Sequence, residues 1–106
     1  MSETKITVIY DNPTDAEVFE SAYEAEQLDA ARKIPGYLRI EASKVWPKED
    51  GSPTPAHRMI DIYFPDYDAA SLAVTTPEAG AFFEAMARLS TGGVRVLFSD
   101  VEVPAG

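Results

Sequence analysis

The chain has no cysteine. That absence excludes disulfides, thiolate nucleophiles and thiolate metal sites together, and it fits a reducing compartment. Histidine is almost as scarce, with His57 alone, so an ordinary zinc or non-haem iron site would need carboxylates at a spacing that is not visible. Basic residues number 9 against 18 acidic ones, a formal net of -9. The summed field repels phosphate backbones and anionic head groups, which argues against nucleic acid and membrane surfaces as partners. No apolar run approaches the roughly 20 residues needed to span a bilayer. The opening MSETKITVIY lacks the basic region and long apolar core of a secretory signal. A soluble cytoplasmic protein is the expectation. No cofactor is expected either: Gly92-Gly93 follows a helix, whereas phosphate loops lie between a strand and a helix.

What is present is ordinary globular composition. Hydrophobic residues make up 45% and charged residues 25%, far from the signature of disorder. At 106 residues the expectation is a single domain over 1-106, small enough that association with another copy would help to bury its apolar surface.

Lys5 to Tyr10 is a β-branched and aromatic run closed by Asp11-Asn12-Pro13, which is strand and then turn chemistry. Thr14 with Glu17 three residues later matches a capping box, so a helix is expected from there to about Lys33. Pro35 ends it, and Gly36 tolerates the turn out. Tyr37 to Trp46 alternates Leu38, Ile40 and Ala42 against Tyr37, Arg39, Glu41 and Ser43, as a half-buried strand does. The proline-rich segment PKEDGSPTPA is an exposed connection. In the strand Arg58 to Phe64, Ile60, Ile62 and Phe64 oppose His57, Met59, Asp61 and Tyr63. Tyr67 to Val74 reads as a helical turn or two. A helix restarts at Thr75-Thr76-Pro77-Glu78, with Thr75 and Glu78 as a second capping box and proline in the first turn. It continues to Leu89, exits through Thr91-Gly92-Gly93, and leads into a strand over Val94 to Val103 and a frayed end at Pro104-Ala105-Gly106.

The order β-α-β-β-α-β predicts an α+β, ferredoxin-like sandwich: a four-stranded antiparallel sheet with two helices on one face. The other face then lies open, carrying Tyr63, Met59, Tyr37, Val45 and one of Ile9 or Phe98, and a homodimer through that face hides it. An RNA-recognition domain shares this element order, but RMIDIYF lacks its basic-Gly-aromatic-Gly signature and the net charge opposes it.

The helix carries one anomaly. Phe19, Ala22, Tyr23, Ala30 and Ile34 recur at the spacing of a buried stripe, yet Gln27 stands one turn after Tyr23. At i and i+4 the phenol and the amide share a face. They can converge on a small polar group inside an apolar cleft, or Tyr23 is core and Gln27 its solvated margin. His57 stands about 13 Å along the strand from Asp61. A direct dyad is therefore not expected: His57 either meets Glu41 or Ser43 across the hairpin or is a solvated strand end beside a loop. Arg39 and Glu41 are read as cross-strand ion-pair residues with Asp61 or Arg58, or as subunit-contact residues, ahead of the alternative that they bind an anionic substrate.

Tyr23-x-x-x-Gln27-Leu28 followed by Lys33-Ile34-Pro35-Gly36 resembles the EthD family of small dimeric α+β barrel proteins. The second half agrees: Ile62-Tyr63-Phe64, Asp68-Ala69-Ala70, Thr76-Pro77-Glu78-Ala79-Gly80 and Gly92-Gly93-Val94 occur in the family's order. The resemblance implies a homodimer with its sheets face to face and a ligand cleft between sheet and helices in each subunit. It also implies an oxidoreductase label, since family members commonly carry one. The ligand-binding residues so implied are Tyr23 and Gln27, with Tyr10, Met59, Tyr63 and Phe83 as walls around a small, mainly apolar organic molecule. No catalytic residue is assigned. The family usually has histidine where Gln27 stands and proline where Asp29 stands, and glutamine can orient a ligand but cannot titrate. Two functions stay open: a cofactor-independent oxidoreductase, isomerase or cyclase, and a non-catalytic ligand-binding or assembly module.

Overall fold

The computed structural model describes residues 2-52 and 54-102. Four strands, β1 (Thr4–Tyr10), β2 (Arg39–Lys44), β3 (Arg58–Phe64) and β4 (Val94–Asp100), form one antiparallel sheet in the order β2-β3-β1-β4. The helices are α1 (Ala16–Ala22), a π turn (Tyr23–Gln27), α2 (Leu28–Arg32), α3 (Tyr67–Ala73) and α4 (Pro77–Leu89). This is the α+β ferredoxin-like sandwich that the element order predicts. No helix among the described residues is long and apolar enough to cross a membrane.

Strand alternation decides which residues meet the helices. Ile6 pairs with Ile62 and Val8 with Ile60; all four are buried, together with Phe64, against Phe19, Tyr23, Ala31, Ile34, Phe82 and Leu89. Phe98 pairs with Ile6 and so belongs to the helix side, which leaves Ile9 on the open face. Tyr37 also departs from expectation. It precedes β2 and packs partly buried against the core, because the chain is still turning out of Gly36, whose φ is 86°.

Both helix starts sit one residue later than the capping boxes predict. The Asp15 carboxylate accepts from Val18 N and the Thr76 hydroxyl from Ala79 N. Thr14 N instead takes the Thr91 hydroxyl, and the Thr75 hydroxyl donates to Leu72 O. In each case the nearer side-chain oxygen satisfies the orphan amide. Asp66 caps α3 in the same way. A Cβ at Gly92 would collide with the Asn12 carbonyl, so that turn requires glycine for close approach. The sheet assignment of β4 ends at Asp100, although Val101 N still donates to Glu3 O at 2.8 Å. The expected strand end at Val103 and the frayed 104-106 lie outside the described residues.

Candidate functional site

The π turn explains the anomalous glutamine. Phe19, Tyr23, Gln27 and Ala31 follow one another at intervals of four and all are buried. An α-helix of 3.6 residues per turn rotates such a series steadily off its face. A wider turn, in which Leu28 N reaches back to Tyr23 O, absorbs that drift and keeps all four residues toward the sheet. Gln27 is consequently 0% exposed; it is interior and not a solvated margin.

Three of the expected ligand residues meet here. Gln27 Nε2 donates to the Tyr10 hydroxyl at 2.5 Å, and the rings of Tyr10 and Tyr23 meet edge to face at 6.0 Å. Phe19 stacks on Tyr23 at 5.4 Å and meets Tyr10 edge on at 5.2 Å. The Tyr23 hydroxyl and Gln27 Oε1 are buried with no hydrogen-bond partner among the described residues. Turning the Gln27 amide over would only exchange which of its atoms is orphaned. Each such atom costs about 1–3 kcal/mol. Burial pushes the Tyr23 hydroxyl up to about 12, opposed by Arg58 and reinforced by Glu20. Burial, and then the neighbouring Tyr23, raise Tyr10 further still. Both phenols therefore stay protonated near neutrality. They donate hydrogen bonds and do not act as bases.

A charged group flanks these rings. Arg58, paired with Tyr10 across β1 and β3, grips the Glu20 carboxylate through two nitrogens and lies 5.5 Å from the Tyr23 ring. That grip holds the Glu20 carboxyl below its usual range. His57 corrects the sequence expectation. Its partner is not Glu41 or Ser43 but Glu20, whose carboxylate lies 3.6 Å from Nε2, and its ring stands edge on to Phe19 at 5.0 Å. His57 precedes β3 and is fixed by its amide to Tyr10 O, so strand alternation does not govern its side chain. The register of Arg58 against Tyr10 is the signal that could have placed this group on the helix side.

Met59 and Tyr63 do not join the other expected residues, because they alternate with Ile60 and Ile62 and face away from the helices. Tyr63 donates to Glu41 at 2.7 Å under the Arg39 guanidinium, 3.8 Å from its ring centre. Arg39 pairs with Glu3 at 3.1 Å. Asp61 accepts from the Thr7 hydroxyl at 2.6 Å and lies 3.6 Å from Lys5. The expected ion pairs of Arg39 and Glu41 with Asp61 or Arg58 are thus replaced by these contacts. Phe83 sits on α4, half-buried and edge on to Phe82.

The space between sheet and helices at Tyr10, Tyr23 and Gln27 is filled by those side chains. An open volume of about 180 Å³ lies elsewhere, between α1 and the end of α4, with Phe19, Ala22 and Leu89 among its walls. Among the described residues, no three histidine, aspartate or glutamate side chains converge as a metal-binding group.

No family model matches the chain. It is 30% identical over 98 residues, 92% of this chain and 94% of the relative, to an uncharacterized 11.0 kDa protein of the thcB-thcC intergenic region in Rhodococcus erythropolis. Its fold superposes on the crystal structure of an EthD family protein from Bacillus halodurans with a TM-score of 0.85 at 20% identity, over 92% of this chain and 96% of that one. SnoaB from Streptomyces nogalater, a cofactor-independent oxygenase, has the same fold at a TM-score of 0.61 and 14% identity, over 100% of this chain and 97% of its own.

Proposed function

We propose that this chain, whose fold is that of EthD family proteins, is a homodimer in which each subunit binds a small, mainly apolar organic molecule, held through an oxygen atom at Tyr10, Tyr23 and Gln27. The observation that carries this reading is the pair of buried atoms without a partner among the described residues, Tyr23 Oη and Gln27 Oε1, which come from the two ends of one π turn. Folding strips both of water without repayment, and a ligand hydroxyl, which can accept from Tyr23 Oη and donate to Gln27 Oε1, repays it. π turns recur at functional sites for the same reason: they aim side chains that a regular helix would carry away.

The chemistry of the site is set by what these groups can exchange. A protonated phenol donates to a developing oxyanion, and an amide donates or accepts; neither takes a proton near neutrality. The site therefore orients and polarises an oxygen. In its enzymatic form this is cofactor-independent oxidation, isomerisation or cyclisation that draws on the substrate's own reactivity; the Streptomyces nogalater protein of this fold is a cofactor-independent oxygenase. Gln27, where the family resemblance implies histidine, favours the non-catalytic form, in which the cleft stores or delivers a ligand.

Dimerisation is supported by the open sheet face, where Ile9 and Met59 pair beside Leu97, which is 51% exposed. Native mass spectrometry of freshly purified protein tests both parts, with the expected result a dimer carrying co-purified small molecules. A folded Tyr23→Phe, Gln27→Leu double variant that retains the same bound molecules would overturn the site assignment.

A further inference from the structure

Tyr10, Tyr23 and Gln27 are no more than 2% exposed, so a ligand that reaches them needs neighbouring space and a wall that yields. Phe19 supplies the geometry. Its ring packs on Tyr10, Tyr23 and His57 at 5.0 to 5.4 Å, and the residue also lines the slot between α1 and the end of α4. Building on the proposed site, we infer that this slot receives the apolar body of a neutral, single-ring molecule, and that Phe19 is the movable partition between it and the Tyr23–Gln27 pair.

The slot states the size of its occupant. Its floor and sides are Phe19, Ala22 and Leu89, with Val18 on the lip, 66% exposed. The Glu26–Arg88 ion pair at 3.1 Å and Thr14 N, which donates to the Thr91 hydroxyl at 3.0 Å, also line it. A volume of about 180 Å³ is that of one ring, since apolar cavities of about 150 Å³ take up benzene.

The slot also states charge. Asp15 and Glu26 line it, and its one cation, Arg88, is already paired. In a chain of net charge -9 a carboxylate or phosphate ligand is repelled. The walls offer an ammonium group no aromatic box beyond Phe19. A neutral ring remains, and the Tyr23 hydroxyl and Gln27 Oε1, without a partner among the described residues, assign it one hydroxyl. Displacing Phe19 brings that hydroxyl to this donor and acceptor while the ring fills the slot.

Benzene and phenol serve as probes, followed by methyl NMR of Val18, Ala22 and Leu89 and by signals of Tyr23 and Gln27. Both probes are expected to shift the slot methyls. Phenol is expected to bind about tenfold more tightly, the gain of one hydrogen bond. Ala22→Leu, which fills the slot and leaves the polar pair intact, abolishes both shifts while circular dichroism and melting show the fold retained. Tyr23→Phe leaves benzene unchanged and lowers phenol to its level. Phenol shifts confined to Tyr23 and Gln27, insensitive to Ala22→Leu, would overturn the slot while leaving the proposed site standing. Equal binding of the two probes, unaffected by Tyr23→Phe, would overturn the partition and the polar site together. Absence of any shift at millimolar probe removes the slot.

Discussion

Gln27 Nε2 and the Tyr10 hydroxyl, 2.5 Å apart and both fully buried, join the π turn to the first strand by a single side-chain hydrogen bond. Tyr10→Phe leaves the Gln27 amide with no partner on either atom among the described residues, and the expected loss is about 1–3 kcal/mol. Gln27→Leu removes that bond together with the orphaned oxygen. The double variant is therefore expected to cost less than the sum of the single ones, a coupling of about 1 kcal/mol, because replacing both partners leaves nothing desolvated and unpaired. Urea unfolding of the four proteins checks this, and additive losses would show that the bond contributes nothing.

Stability is expected to fall on the alkaline side earlier than core packing alone dictates. The folded Tyr23 holds its proton to about 12, against 10.0 as the ordinary value. As pH rises past 10 the unfolded chain releases that proton first, so the stabilisation present below 10 is lost by 12, on the order of 2 kcal/mol. Tyr10 shifts in the same direction. Denaturant midpoints from pH 9 to 12 should decline less steeply in Tyr23→Phe than in the parent chain.

Glu20 acts at the acid end with the opposite sign. Arg58 lowers its folded pKa, with smaller help from His57, so its contribution is complete above the ordinary glutamate value and disappears as pH falls through the lower folded one. Glu20→Gln is expected to flatten the acid limb of the stability curve. The effect is modest, because the carboxylate is a third exposed and solvent screens the pair. Melting temperatures between pH 2.5 and 6 provide the measurement; parallel curves for the two proteins would remove the role of the pair.

Met59 lies opposite Ile9 and Ser43 on the sheet face turned from the helices. An arginine there would place an unpaired charge in the proposed sheet-to-sheet contact, where desolvating an ion costs on the order of several kcal/mol. Met59→Arg is expected to weaken dimers by a hundredfold or more, since each 1.4 kcal/mol is tenfold, with little change in the helix layer. Sedimentation across a concentration series would detect it. A parent chain that is strictly monomeric at micromolar concentration would contradict the dimer.

The architecture was legible because it rests on period and punctuation. Ile60, Ile62 and Phe64 alternate against Met59, Asp61 and Tyr63, and Pro35-Gly36 can end a helix but not continue one. The proximity of Tyr23 and Gln27 was also readable from their i, i+4 spacing. What spacing could not convey is that the helix widens into a π turn, since a strict 3.6 period hides the burial of Gln27 until its drift is absorbed. The placing of Met59 and Tyr63 beside Tyr10 failed for a different reason. Alternation along β3 already puts those two side chains opposite Ile60 and Ile62, and the sheet itself separates them from the helical layer. His57 was missed because it stands just outside a strand, where side-chain direction follows one backbone bond to Tyr10 O and no periodic rule. The slot at Ala22 and Leu89 has no sequence signal, for it is a mismatch between two helices far apart in the chain.

The ionic groups of the outward sheet face are largely settled inside one subunit. Lys5 and Thr7 attend Asp61, Tyr63 attends Glu41, and Glu3 attends Arg39. A second copy arriving on this face has no counter-ion to provide and receives none. In the proposed dimer, recognition then falls to contour and to Ile9, Met59 and Leu97, and added salt, which screens the repulsion between two chains of net charge -9, leaves that contact intact.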